Sequence, residues 1–368
     1  MLDGDLVIDA TVHGFDFSTP NRSPLCDPQN FAGFQTFMHQ LHLTGESLEP
    51  GYQLTAQEYL PRVSAEALAS AVFLESDVDV AFYHHVPIEG YFKDGVSPFD
   101  TGLDFRKLAE NRVHVYGGVD TFQKDRGKVF ALMEEHAALG VVGFKFYPSN
   151  GIVDADSRTL NVMLYDDPEY AYPFFDKARQ LGITHLAFHK AYPVGPSIDA
   201  VRPGDLLAAA VAFPELTFEI VHAGWAFAEE TALEMMVAPN LYANLELSGG
   251  LIVRKPRLFA EMLGTIISAA GHQRLLFASG SASTHVDPIL RAFRDFEMPR
   301  DLQDGYGYPE ITAEMKRDIL GLNMARLHGL DVETIKAETA ADEWARRREA
   351  GKQPPWAVRR AEAANLPV

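Results

Sequence analysis

Apolar residues recur along this chain in short β-branched or aromatic runs. Each run ends in a polar turn, and an amphipathic stretch with helical spacing follows. The first run, Leu6–His13, has five apolar residues among eight. Side chains alternate along a strand, so Asp9, Thr11 and His13 share one face of this predicted strand. Further strands are predicted at Asp77–Ile88, Arg112–Val119, Val141–Tyr147, Thr184–Ala191, Leu216–His222, Leu241–Leu247 and Leu275–Ser279. Between them fall helices at Ala65–Glu75, Asp125–Leu139, Tyr170–Leu181, Asp205–Phe213, Phe227–Val237 and Pro256–Ala270. Such alternation predicts parallel βαβ units closed into a (β/α)8 TIM barrel, an α/β fold. A doubly wound sheet is the alternative, but no Gly-rich phosphate turn follows the first strand.

Two regions break the alternation. Gly14–Arg62 is rich in Pro, Phe and His, and after strand one of a barrel it falls over the mouth as a lid or substrate wall. Asp331–Val368 carries seven basic and seven acidic residues with Trp344 and Trp356. It is too polar for a core of its own, and is expected as an arm on its own barrel or at an oligomer contact. The expected organisation is therefore a barrel over residues 1–330, with a lid-like insertion at 14–62, and an arm over 331–368.

Composition narrows the field. At 368 residues, 47% of them hydrophobic, the chain has material for a sizeable core. A net charge of −19 excludes a nucleic-acid surface. The single cysteine, Cys26, permits no internal disulfide and fits a reducing cytoplasm. Neither a signal peptide nor a membrane span is expected.

A barrel assembles its site from strand ends, and these ends are unusually polar. Strand one ends at His13, strand two in His84-His85 and strand four in Lys145-Phe146-Tyr147. Strand five ends in His189, strand six in His222-Ala223-Gly224-Trp225 and strand seven in Glu246, with His285 shortly after strand eight. A single such histidine is usually structural; His13, His189 and His222 together predict a divalent metal, Zn, Fe or Mn, with open coordination positions. His222, Lys145 and Glu246 are the candidate catalytic groups. His84, His85, Tyr147, Trp225 and His285 are candidate substrate contacts, and Asp16 in the insertion is a further group from which a site could be rebuilt.

These residues resemble the amidohydrolase superfamily, and within it the amidohydrolase-2 group that includes aminocarboxymuconate semialdehyde decarboxylase relatives. The resemblance runs from Asp9-x-Thr11-x-His13 through Gly143–Pro148, Phe188-His189, Val221–Gly224 and Arg274–Ser279 to Ile319–Gly329, covering about Leu6–Leu330. It implies a TIM barrel in which His13 and His189 bind metal and His222 serves as ligand or acid. Two anchors of the pattern are replaced: Thr11 stands for the first metal-binding His, and Gly280 for the Asp after strand eight that binds metal and takes a proton from water. Lys145 falls where some superfamily members carry a carbamylated lysine, and a lysine pairing with a substrate carboxylate is the other reading.

Losing the Asp penalises hydrolysis more than oxygenation. The chain is also similar to the smaller subunit of amidohydrolase-fold hydroxylases of 2-aminoisobutyrate, which pair two such barrels. That resemblance implies a subunit of a non-haem Fe/Mn oxygenase, catalytic or supporting, acting on a small amino or carboxylic acid. The partner would be a homologous barrel subunit, or else a second copy of this chain. The alternatives are a mononuclear-metal hydrolase or decarboxylase, and a non-catalytic barrel.

Overall fold

A computed structural model describes residues 4–45, 49–123, 125–151, 161–193 and 197–365. The few residues of the arm beyond 365 lie outside this range. Eight strands run in one sheet in sequence order: β1 Ile8–Val12, β2 Val80–His84, β3 Val113–Gly118, β4 Gly143–Phe146, β5 His185–His189, β6 Thr217–Val221, β7 Leu241–Asn244 and β8 Leu275–Leu276. All neighbouring pairs are parallel. The seam between β8 and β1 is joined by Ala10 N–H donating to the Phe277 carbonyl (2.9 Å) and Gly280 N–H to that of Thr11 (3.0 Å), beside a parallel bridge between Val12 and Ser281. The (β/α)8 barrel is thus realised and nearly closed.

The helices used below are α1 Pro28–Gly45, α2 Ala65–Ala69, α3 Phe99–Leu108, α4 Arg126–Ala138, α5 Tyr172–Gln180, α6 Leu206–Ala212, α7 Ala228–Val237, α8 Pro256–Ala270, α9 Val286–Asp295, α10 Glu343–Arg348 and α11 Ala357–Ala364. Their limits follow local chemistry. Asp125 caps α4 by accepting from Lys128 N–H, and α8 begins with Pro256, whose missing N–H costs nothing in a first turn. The strands are shorter than their apolar runs because the last residues of each run leave the ladder to reach the barrel mouth.

The insertion after β1 folds around α1. Phe17, Phe31 and Phe92 are fully buried beneath it, their rings packed at 5.4–6.2 Å. The arm lies against this chain's own surface, and Trp344 and Trp356 are both buried there. Trp356 N–H and Ala357 N–H donate to the Glu75 carboxylate, and Trp356 Nε1–H donates to the Tyr52 carbonyl (2.7 Å). Arg359 reaches the carbonyls of Tyr59, Pro61 and Arg62, and Arg360 those of Gly51 and Gln53. Helix α11 therefore clamps the same insertion that carries α1. Among the described residues no helix is long and apolar enough to cross a membrane.

Candidate active site

Three imidazoles converge at the mouth from different strand ends. His13 follows β1, His189 closes β5, and His222 follows β6. Each places one ring nitrogen on a backbone carbonyl: His13 Nδ1 on His84 O (2.9 Å), His189 Nε2 on Tyr192 O (2.6 Å) and His222 Nδ1 on Glu246 O (2.9 Å). A carbonyl only accepts, so these nitrogens are assigned the protons. For His189 and His222 the other nitrogen is then a lone pair, whereas His13 Nε2 stands against a carboxylate oxygen and donates to it. His222 Nε2 faces His189 Nδ1 at 3.1 Å, and His13 Nε2 faces Glu246 Oε1 at 3.0 Å. Burial pushes His222 down to about 4 and His189 well below the ordinary histidine range, so both rings are neutral near pH 7.

Two lone pairs meeting at 3.1 Å repel unless a cation lies between them. A metal-binding histidine characteristically donates its second N–H to a carbonyl or carboxylate, which fixes the tautomer and turns the lone pair inward. His189 and His222 do this, and with His13 and a nearby carboxylate they are donors of the type that Zn, Mn or Fe accepts. Among the described residues no three His, Cys, Asp or Glu donors already stand around one point. The fit lies in donor type and tautomer.

The backbone at His222 is shaped for this task. His222 (φ 72°) and Ala223 (φ 49°) sit in the left-handed region, a costly conformation for residues with a Cβ. Gly224 follows at φ 70°, and an ideal Cβ there would stand 1.8 Å from Thr231 Oγ1. Only glycine lets this turn close onto α7.

Glu246 is the carboxylate of the site. It leaves β7 two residues after Asn244, whose Oδ1 accepts from Glu246 N–H (3.1 Å). Asn244 Nδ2 in turn donates to Thr11 Oγ1 and Glu219 Oε2, both at 2.9 Å. Thr11 is therefore part of the layer beneath the site. Burial alone would raise the Glu246 carboxyl, but His222, His13 and Lys145 outweigh it and hold the group well below the usual carboxylate range. Lys145 Nζ lies 3.7 Å from Glu246 Oε2 and is fully enclosed. Burial brings it down to about 8, against the pull of Glu246 and Glu219.

Gly280 explains where the expected aspartate went. An ideal Cβ on Gly280 would stand 3.2 Å from both Cγ and Oε1 of Glu246 and 3.0 Å from Leu247 Cδ2. The space that a side chain at 280 would need is taken by the Glu246 carboxylate, which arrives from β7 and is one of the catalytic candidates read from the sequence.

Above these groups lies a cavity of about 560 Å³ with His189, His222 and Glu246 at its floor. Tyr147, stacked on His189 at 4.4 Å, lines it as expected. The other expected substrate contacts lie elsewhere. His84 is enclosed beneath the site, stacked on Tyr116 at 4.3 Å. His85, next along the strand and hence on its opposite face, packs between Phe99 and His136 outside the barrel. Trp225 stacks on Tyr192 at 4.9 Å and lines a neighbouring depression, not this cavity. His285 pairs with Glu75 and packs on Trp356, where it supports the arm. Asp16 is buried in the insertion, its carboxylate accepting from Ser18 N–H. The residues that sequence reasoning missed are Phe34, Phe37, Met38 and Leu41 of α1, which form the outer wall. Their i, i+3, i+4, i+7 spacing is a helical signal, hidden inside a segment that reads as irregular.

A family model described as Amidohydrolase matches residues 103–330. No curated protein matches the sequence. Among solved structures, an uncharacterized TIM-barrel protein from Bordetella bronchiseptica superposes with a TM-score of 0.61 at 16% identity, covering 88% of this chain and 98% of that one. A 5-carboxyvanillate decarboxylase mutant from Novosphingobium aromaticivorans, with bound manganese, gives 0.57 at 14% identity, covering 89% and 98%. An amidohydrolase from Burkholderia multivorans, with bound zinc, gives 0.52 at 15% identity, covering 89% and 100%. At these identities the likeness is one of fold.

Proposed function

The chain belongs to the amidohydrolase family whose model it matches, and from that premise we propose that it is a metal-dependent hydrolase acting on a carbonyl C–N or C–O bond. One observation carries the reading: the ionised Glu246 carboxylate fills the space beside Gly280, 3.0 Å from His13 and 3.7 Å from His222, whose second nitrogen faces His189. His13, His189 and His222, with Glu246, would hold a divalent metal. Bound there, the metal would supply Lewis acidity toward the substrate carbonyl.

The chain's own residues do the remainder. Glu246 Oε2 makes no hydrogen bond in the fold, so it is the free acceptor for a proton from water. Water adds to the carbonyl carbon, the proton passes to Glu246 and then to the departing nitrogen or oxygen, and the bond to that atom breaks. Lys145, 3.7 Å away, balances the Glu246 charge while it waits.

Decarboxylation, which replaces a C–C bond with C–H and needs a proton donor, is the second reading, and the enclosed Lys145 ammonium beside Glu246 is the group for that role. The oxygenase reading rested on Thr11 and Gly280 standing for a metal-binding His and Asp, and neither the matched family nor the structural neighbours add support to it. A homologous partner subunit remains a proposal.

The test is product analysis of the Zn- and Mn-loaded protein on aryl amides and esters. Multiple turnover with one water consumed and no oxygen requirement is expected. Release of CO2 from carboxylate substrates without hydrolysis, or oxygen uptake coupled to hydroxylation, would overturn the proposal.

A further inference from the structure

We infer that the substrate carries an aromatic or other bulky apolar body, gripped by α1; this rests on the active-site reading above. The cavity's volume, about 560 Å³, is that of a site for a drug-sized molecule. Phe34, Phe37, Met38 and Leu41 from α1 line one side, opposite Phe15 and Tyr91. Phe37 is the telling residue. It is 59% exposed at the cavity although it sits on an apolar helix face. Phe34, by contrast, is anchored on Tyr91 and Phe92 at 5.3–5.4 Å. An aromatic side chain left over water beside a deep apolar cavity gains when a ligand's apolar body covers it.

A small polar substrate would leave the α1 face wet. A molecule with an apolar body covers that face and directs its polar carbonyl at the floor.

Binding is measured on the full-length, chelator-treated protein by calorimetry, with 2-naphthamide and acetamide as probes. The naphthamide is expected to bind at least about tenfold tighter, the size of effect that burial of one ring supports. Phe37→Ala should weaken it several-fold without loss of thermal stability, since Phe37 is largely exposed. Equal or tighter binding of acetamide by the unaltered protein overturns the inference, as does a Phe37→Ala variant that binds naphthamide unchanged. Turnover, assayed separately on the metal-loaded protein, divides the two claims. Selective naphthamide binding with no hydrolysis of any amide or ester sinks the hydrolase reading alone. Hydrolysis without selectivity for the apolar probes sinks the substrate class alone.

Discussion

The floor of the cavity hangs from the ends of β1, β5, β6 and β7, whereas its outer wall is a single helix, α1, in an insertion whose later part is clamped by Trp356, Arg359 and Arg360 of the arm. The floor residues are fixed by short hydrogen bonds to neighbouring strand ends, and their ring tautomers are set by those bonds. The wall is fixed by apolar packing and by side chains that come from the far end of the sequence. Chemistry built on strands has one geometry available to it. A wall built on an insertion can change its side chains without disturbing that geometry.

The comparison is broken most severely at Glu246. Glu246→Gln keeps the shape and removes the proton acceptor, so turnover should fall on the order of 10²–10⁴-fold, while elemental analysis finds the bound metal largely retained on the imidazoles. A variant with near-normal rates would place the base elsewhere.

Trp356→Ala attacks the wall and spares the floor. Truncating a buried aromatic costs about 3–5 kcal/mol. Denaturant unfolding should show a loss of this order, together with weaker binding of apolar probes. Metal content per folded molecule should stay unchanged. If metal is lost in parallel, floor and wall are one cooperative unit.

Lys145→Met sharpens the account of the floor by pH. The group to follow is Glu246, which must be ionised to act and whose carboxyl is held low partly by Lys145. Without that cation its pKa rises, so the acid limb of the kcat/KM profile should move to higher pH. An unmoved limb would leave the histidines alone responsible.

The smallest effect is expected at Asp9, whose carboxylate accepts from Ser279 N–H (2.9 Å) and Ser279 Oγ–H (2.6 Å) to tie β1 to β8. Burial raises its pKa to about 7, against those hydrogen bonds. The folded state therefore binds more protons than the unfolded chain between about pH 4 and pH 7, taking ~3.9 as the unfolded value. This contribution to stability is present at low pH and is lost as pH rises through 7. Asp9→Asn should flatten that part of the stability–pH curve, as read by melting temperature at several pH values.

How much of this was legible in the sequence divides along the same line. The apolar runs located all eight strands, and His13, His189, His222, Lys145 and Glu246 do meet, because a parallel barrel gathers strand ends whatever else varies. His84 and His85 show the limit. Adjacent residues on a strand point to opposite faces, so at most one could face the interior, and a stack on Tyr116 takes that one below the site. Position 280 misled for a different reason. A missing aspartate is visible in a sequence, but that Glu246, 34 positions earlier, packs against the vacant position is visible only once β7 and β8 lie side by side. The wall was foreseen as a region and not as residues, since Phe34, Phe37, Met38 and Leu41 acquire a common face only in a helix.

The clamp of α11 on the insertion has a consequence for the order in which the protein is made. Tyr52, whose carbonyl receives the indole of Trp356, leaves the ribosome 304 residues before its partner. At about 5–20 residues per second, that is a wait of roughly 15–60 s. During this interval the β1–β2 connection lacks the clamp that Trp356, Arg359 and Arg360 later supply. The nascent chain thus carries Phe31, Phe34, Phe37 and Met38 early and receives its arm last, so the yield of folded protein should depend on chaperones that shield this segment through translation, even if the finished barrel refolds without them.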